Sequence, residues 1–439
     1  MKARARRMPT VHAVTLGCPK NRVDTEVLLG DLLSHGYALA AEAADADVVV
    51  VNTCGFLAAA RRESLEVLRE LAAGMRPGAR LVAAGCMVER FRDEVASAVP
   101  EAQVLIGTRQ LLSLRGVLDG ERPGPGPESG PRLLTTAPPA AYLKVAEGCS
   151  RRCAFCIIPA IRGRQRSRGA DDVVAEARSL VASGANELVL VAQDLTHWGT
   201  DLPGRPRLAT LVRRLATEVP ARWIRLMYLY PRDIDDDLLD AIASRPNVLR
   251  YLDMPVQHAD DRVLAAMRRG TTRRQLSALV ARVRARLPGA VLRTTYLVGF
   301  PGETDEAFRT LQDFATFARF EMAGVFAFSP EPGAAAARQT CQVAPRVARE
   351  RVRLLEDTLS RVAAESRAGM TGEVHEAVIE SFARGRASGR LWFQAPEVDG
   401  RVRIAVPAGV RVAPGAFVRV RVTGACGIDF DADLFESCA

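Results

Sequence analysis

Twice along this chain, short β-rich runs alternate with stretches whose apolar residues recur at helical spacing. The first block, residues 11–107, holds the strand candidates VHAVTLG, DVVVVN, RLVAAG and QVLIG. Between them lie NRVDTEVLLGDLLSHG and FLAAARRESLEVLRELAAG, both helical in pattern. Such alternation predicts a small α/β domain built on a parallel sheet. The second block, residues 141–328, holds AYLKVAEG, ELVLVAQ, WIRLMYLY, VLRYLDMP, VLRTTYLVGF and EMAGVFAFS, with helices such as DDVVAEARSLVASG between them. Six βα units predict a full or partial (β/α) barrel with its chemistry at the C-terminal ends of the strands. A Pro- and Gly-rich stretch, GERPGPGPESGPRLLTTAPP, separates the blocks and reads as a linker. A charged helix is expected over 344–370. Beyond it, GEVHEAVIESF, ASGRLWFQA, GRVRIAV and AFVRVRVTG predict a small all-β barrel. The expected fold class is α/β multidomain, with an N-terminal α/β domain at 10–119, a linker at 120–138, a core domain at 139–370 and a β-barrel domain at 371–438.

A chain of 439 residues accommodates two to four domains at roughly 100–200 residues each. No apolar run reaches the ~18 residues that a membrane span needs. The longest candidate, DVVVVNTCGFLAAA, is broken by polar residues and Gly55. The basic start MKARARRMPT has no apolar h-region after it, so no signal peptide, no membrane partner and a cytoplasmic location are expected. The formal charge is +9, from 60 Lys+Arg against 51 Asp+Glu. That permits a polyanionic partner such as RNA or a ribosome. A solvated surface in an Arg-rich chain gives the same balance. Residues 371–439 carry eight Arg and nine Asp+Glu, a net −1, so the positive excess lies elsewhere.

Nine cysteines in a chain without a secretion signal point to metal binding or catalysis, not to disulfides. Cys341, Cys426 and Cys438 have no ligand spacing and read as core or tail residues. The stretch EGCSRRCAFC places Cys149, Cys153 and Cys156 in a C-x3-C-x2-C pattern. A structural zinc ion wants four ligands, and no histidine is adjacent. A distant residue such as His258 would have to complete such a site. A 4Fe–4S cluster that only carries electrons also takes four thiolates. Three thiolates leave one iron open, and a small molecule can fill that position. Cys18, Cys54 and Cys86 form a second set, ending VTLGC, VVNTC and VAAGC. Each follows a predicted strand and precedes a predicted helix, so the three meet at one edge of the sheet. Gly17, Gly55 and Gly85 beside them permit close backbone approach. Three buried cysteines acting as small hydrophobes are the alternative. With two open-iron clusters, one site makes a reactive species and the other holds the atom to be inserted.

C-x3-C-x2-C on the loop after a first barrel strand, with Phe155 before the third cysteine, resembles the radical S-adenosylmethionine (SAM) superfamily. With the second cysteine set and the C-terminal barrel, the chain resembles the methylthiotransferase family within it. The resemblance covers residues 10 to 437. It implies an N-terminal cluster domain, a radical SAM partial barrel and a C-terminal TRAM barrel. It further implies two 4Fe–4S clusters, SAM as cosubstrate, a 5′-deoxyadenosyl radical and an electron donor such as flavodoxin or ferredoxin. LGCPKNRVDTE with Pro19-Lys20, AEGCSRRCAFCIIPAIRGRQRSR, VAQDLTHWG with Gln193-Asp194, YLYP, YLDMPVQHAD and RTTYLVGFPGET resemble the branch that modifies an aspartate of ribosomal protein S-twelve. A nearly neutral TRAM domain, APEVDG included, suits a protein partner better than RNA. The sister branch acting on tRNA adenosine is the alternative; a non-catalytic metal-bearing RNA- or ribosome-binding protein is another. SPEPGAAAA departs from the family pattern by lacking a threonine after the glycine, and no role is assigned to it.

By resemblance, VGFPGE at 298–303 is a SAM-contacting loop, with Gly299 and Gly302 admitting backbone and Glu303 accepting hydrogen bonds. A tight structural turn is the other reading. Gln193 and Asp194 end the second barrel strand; Asp194 either binds a polar group of SAM or substrate or caps the following turn. His258, after MPVQ, is a further cofactor-site candidate. The basic run RGRQRSRG meets RNA or acidic substrate residues, or is a solvated loop.

Overall fold

The structure is a computed structural model that describes residues 7–122, 124, 130–135 and 139–437. The first block folds into a five-stranded parallel sheet ordered Ala38–Leu39, Thr10–Thr15, Val48–Thr53, Arg80–Gly85, Val104–Gly107. The two-residue strand Ala38–Leu39 carries no sequence signal of its own. Val48, Val50, Val82 and Ala84 pack on one face of the sheet, and Val49, Val51, Leu81 and Ala83 on the other. A parallel sheet covered by helices on both faces must be apolar at consecutive positions, and VVVV is the result.

The second block forms a six-stranded parallel sheet in chain order: Ala140–Lys144, Glu187–Val191, Trp223–Leu226, Val248–Asp253, Val291–Val298, Met322–Ala327. It is an open half-barrel. Leu188 and Leu190 face the outer helices. Val189 and Val191 face inward, into the same cluster as the apolar interior of the C-terminal domain.

That domain is a closed five-stranded barrel: Val374–Ala383, Arg386–Leu391, Val402–Ala405, Asp429–Ser437, Phe417–Cys426. The last strand in sequence, Asp429–Ser437, was missing from the sequence reading, since DFDADLFES is too acidic to stand out. It pairs with Phe417–Cys426, where its acids meet arginines across the ladder, as in Arg419–Glu436. Trp223 on the half-barrel stacks edge-on against Phe417, ring centroids 4.8 Å apart, and its Nε1 donates to Glu376. The small barrel therefore plugs one end of the half-barrel's inner face.

Much of the expected linker lies outside the described residues. Residues 130–135 run along the helix Pro19–Ser34. There Arg132 pairs with Glu26 and Glu176, and Glu26 accepts from the Thr135 amide at 2.8 Å. This part of the connection is strapped down, which Pro/Gly composition does not convey. Cys341 and Cys426 are exposed, so neither is a core residue. Cys438 lies outside the described residues. Among the described residues, no helix is long and apolar enough to cross a membrane.

Candidate active site

The C-terminal edges of the two parallel sheets face each other across a cavity of about 500 Å³. Cys18, Cys54 and Cys86 line it from one side, and Cys149, Cys153 and Cys156 from the other. Each of the first three stands where a strand of the small sheet ends. Cys18 precedes helix Pro19–Ser34, Cys54 follows Val48–Thr53, and Cys86 opens Cys86–Ala98. Local backbone is shaped for close approach. Gly17 has φ +91°, and a Cβ there would sit 2.9 Å from the Cys54 Sγ. Gly85, also at φ +91°, passes so near the Asn52 side chain that a Cβ would overlap it.

Cys86 and Cys149 are buried, the other four are partly buried, and neighbouring thiols raise the pKa values of the two buried ones. Burial pushes Cys86 up to about 12, with Cys18 and Cys54 adding to the rise and Arg162 opposing it. Burial likewise raises Cys149 to about 11 and Cys156 to about 12, against backbone N–H donors. Those donors are the amides of Arg151 and Ile158, each 3.4 Å from a sulfur. Such groups are poor free nucleophiles at neutral pH. They suit a metal whose charge displaces the proton, and amide hydrogen bonds to sulfur are what iron–sulfur ligands receive. The donor set on each side is three thiols, and no histidine lines the cavity. His258 does not complete a zinc site: it is fully buried behind the wall. Its Nδ1 accepts from the Asp260 amide at 3.0 Å, and its Nε2 lies 3.8 Å from Glu303. The residues present fit an iron–sulfur cluster with an open position, and the C-x3-C-x2-C loop points to one such site.

A buried ionic network joins the two sides. Arg162 donates to Glu147 at 2.7 Å and to Asp24 at 3.1 Å, and contacts Asn21, whose Oδ1 is 3.5 Å from the Cys86 sulfur. Lys144 bridges Asp24 and Glu147. Burial by itself would raise the Glu147 carboxyl; Arg162 and Lys144 outweigh it and hold Glu147 well below the usual carboxylate range. The run RGRQRSRG is thus neither wholly solvated nor wholly available to RNA. Arg162 and Arg168 are buried, Arg168 against Asp172 and Glu176, while Arg164 and Arg166 are exposed. SPEPGAAAA also packs here. Glu331 ion-pairs with Arg61 at 2.6 Å and accepts from the Ala58 amide, capping helix Ala58–Gly74.

Around the three-cysteine loop, Arg151 donates to Asp194 at 2.6 Å and to Asp233, so its guanidinium occupies the carboxylate cluster formed with His197. Arg151 and Arg269 both stack on Tyr230, at 4.1 and 4.2 Å, and Arg269 reaches the Cys153 sulfur at 3.5 Å. Gln193 and Asp194 line the cavity. Asp194 also accepts from Thr196 Oγ1 at 2.6 Å, so it holds its own turn. Gly299, Gly302 and Glu303 are not among the lining residues. The Glu303 carboxylate accepts from its own loop, at the amides of Gly299 and Phe300, and so braces the turn. Gly299 lies against Ala348, where a Cβ would collide at 2.5 Å.

Sequence reasoning missed Lys20, Asn21, Asp24, Lys144, Glu147, Arg151, Arg162, Arg269, Tyr228 and Gln257. One signal was available: three of the 60 basic residues are lysine, and two of those, Lys20 and Lys144, are here. Tyr228 and Gln257 line the cavity at positive φ, 62° and 71°. Such backbone costs about 1–3 kcal/mol per residue and clusters at functional sites.

A three-thiol loop after the first strand of a parallel half-barrel defines a radical SAM protein. Residues 143–315 match the radical SAM superfamily, residues 10–107 the uncharacterized protein family UPF0004, and residues 371–434 the TRAM domain. Three relatives carry the name ribosomal protein uS12 methylthiotransferase RimO. That of Anaeromyxobacter sp. is 45% identical over 95% of this chain and 92% of its own length. That of Myxococcus xanthus is 42% identical over 97% and 92%, and that of Synechococcus sp. 44% over 97% and 95%. Among solved structures, the radical SAM methyltransferase TsrM from Kitasatospora setae, with cobalamin and a [4Fe-4S] cluster bound, shares the fold. Its TM-score is 0.53 at 16% identity, covering 86% of this chain and 77% of that one. The chain belongs to the RimO family of ribosomal protein uS12 methylthiotransferases.

Proposed function

We propose that the chain adds a methylthio group to the β-carbon of an aspartate of ribosomal protein S-twelve, free or in the small ribosomal subunit. The observation that carries this reading is that two sets of three thiols, from two different sheets, line one cavity. Cys149, Cys153 and Cys156 would hold one 4Fe–4S cluster, at the site for SAM. Cys18, Cys54 and Cys86 would hold a second 4Fe–4S cluster, at the site for the sulfur. When bound, these groups supply the one-electron cleavage of SAM and a sulfur ready for transfer, the electron coming from a donor such as flavodoxin or ferredoxin.

The rest is the work of this chain's own residues. A β-carbon C–H bond is too weakly acidic for a side-chain base, so no acid–base pair is assigned. Opposing the two thiol sets across one enclosed space turns an encounter into a positioned step. Arg151, clamped by Asp194 and Asp233, and Arg269, stacked on Tyr230, fix the three-cysteine loop. Gln193 is assigned to a polar group of SAM, and Asp194 to holding Arg151 and its own turn. Gly299, Gly302, Glu303 and His258 are assigned to shaping the wall behind it. The Arg162 network holds both sides in register.

The test is to incubate anaerobically reconstituted, reduced protein with SAM, sulfide and either ribosomal protein S-twelve or unmodified tRNA, then apply mass spectrometry. A methylthio group on one S-twelve aspartate is the expected result. The same group on tRNA adenosine instead would overturn the substrate while keeping the two-cluster chemistry.

A further inference from the structure

Lys20 is buried, 7% exposed, and lines the cavity two residues beyond Cys18. Its Nζ lies 3.4 Å from the centroid of the Tyr228 ring, so the side chain reaches from the small domain across to the half-barrel. Tyr228 is held firmly in place. Its amide donates to Asp253 at 3.0 Å, and its backbone sits at positive φ. Among the described residues, the Lys20 ammonium has no carboxylate partner and no hydrogen-bond acceptor.

The other cations of the cavity are engaged. Arg151 pairs with Asp194 and Asp233, Arg162 with Glu147 and Asp24, and Arg293 with Asp253 and Asp399. Arg269 is bound to the Pro255 carbonyl at 2.6 Å. The Lys20 ammonium stands on the cavity wall with a ring face on one side, and the ring replaces only part of its hydration. Its open side is suited to an anion that enters the cavity. Lysine in a chain that otherwise uses arginine fits this: an ammonium on a ring face leaves space above it that a guanidinium would fill.

Resting on the proposed reaction, we infer that Lys20 binds the side-chain carboxylate of the acceptor aspartate. That carboxylate is one bond from the β-carbon, so a salt bridge to Lys20 places the carbon between the two thiol sets. Lys20 is then a specificity-determining residue that selects aspartate over its neutral isostere asparagine.

The experiment compares the reconstituted holoenzyme and its Lys20→Met variant, using S-twelve with the acceptor aspartate intact or replaced by asparagine. Binding of both forms and kcat/KM for the aspartate form are read, with iron content as a control. Wild type is expected to bind the aspartate form about 100-fold more tightly than the asparagine form. Lys20→Met should keep its iron and lose about 100-fold in kcat/KM on the aspartate form. It should bind the two forms alike. A Lys20→Met enzyme that still prefers aspartate would overturn the proposal, as would loss of iron, which would place Lys20 in cluster assembly. Wild-type protein that leaves S-twelve unmodified would instead overturn the reaction on which the inference rests.

Discussion

Cys86 is the most enclosed of the three thiols on the small sheet, at 6% exposure, and burial pushes it up to about 12. It ligates only when a metal displaces its proton, so cluster assembly weakens as pH falls and protons compete. Cys86→Ala removes one of three ligands from a site that has no fourth thiol among the described residues. The expected result is loss of about four of about eight irons per chain, with the signal of the C-x3-C-x2-C cluster retained. Iron and sulfide assays with anaerobic absorption spectra check this; an unchanged iron content would remove Cys86 from the ligand set. The six cysteines were legible in the sequence because a strand end is a local signal and C-x3-C-x2-C is a local spacing. Glu303 shows the limit of that kind of reading. Its place at a strand end suggested a ligand contact, whereas its carboxylate is spent on the amides of Gly299 and Phe300. Which way a side chain turns depends on neighbours, here Arg351 and His258, that come from other elements.

At the scale of elements, the second strand of the half-barrel begins with Glu187, which is fully buried between Arg225 and Arg390, at 2.7 and 2.6 Å. Arg225 also donates to the Trp392 carbonyl, so strand, strand and small barrel share one charge cluster. Burial favours the neutral carboxyl, but Arg390 and Arg225 outweigh it and hold Glu187 below the usual carboxylate range. Its contribution to stability is therefore full above the unfolded value of about 4.3 and is lost as pH falls toward the depressed folded value. Glu187→Ala leaves two buried guanidiniums short of an anion and should cost about 3–5 kcal/mol. Denaturant unfolding at pH 7 and pH 4 checks both statements. The wild-type-to-variant gap should narrow at the lower pH, and a constant gap would exclude the ionic origin. ELVLVAQ read correctly as a strand by its apolar run. That its glutamate anchors another domain was not legible, because Arg390 is distant in sequence and ion pairs leave no periodic trace.

Across the whole molecule, the C-terminal barrel completes the catalytic cavity. Val398 lines it, and Asp399 beside it accepts from the Tyr251 hydroxyl at 2.5 Å and from Arg293 at 3.2 Å. Asp399→Asn removes the charge from these bonds, each worth about 1.5–3 kcal/mol when charge-assisted. The loop should loosen, raising KM for S-twelve about 10-fold while iron content stays constant. Steady-state kinetics with the reconstituted enzyme would show it; an unchanged KM would mean that the C-terminal barrel does not shape the substrate site. The near-neutral composition of this domain pointed to a protein partner, yet composition says nothing of where the domain docks. The half-barrel's inner face carries Trp223 beside the buried charges Glu187 and Arg225, and the small barrel covers it through Phe417 and Arg390.

The amino-acid sequence by itself determined the main strands and helices of the two parallel sheets. It also determined the placing of six thiols at strand ends, because hydrophobic period and motif spacing are properties of neighbouring residues. Only the tertiary structure decided that the two sheet edges face each other. It also decided that Arg162 and Lys144 are buried against Asp24 and Glu147, and that Lys20 reaches across the cavity to the Tyr228 ring with no carboxylate partner among the described residues. Those facts come from charges brought out of water together by packing between elements more than a hundred residues apart. Desolvation makes each such pairing obligatory, and no local pattern encodes it.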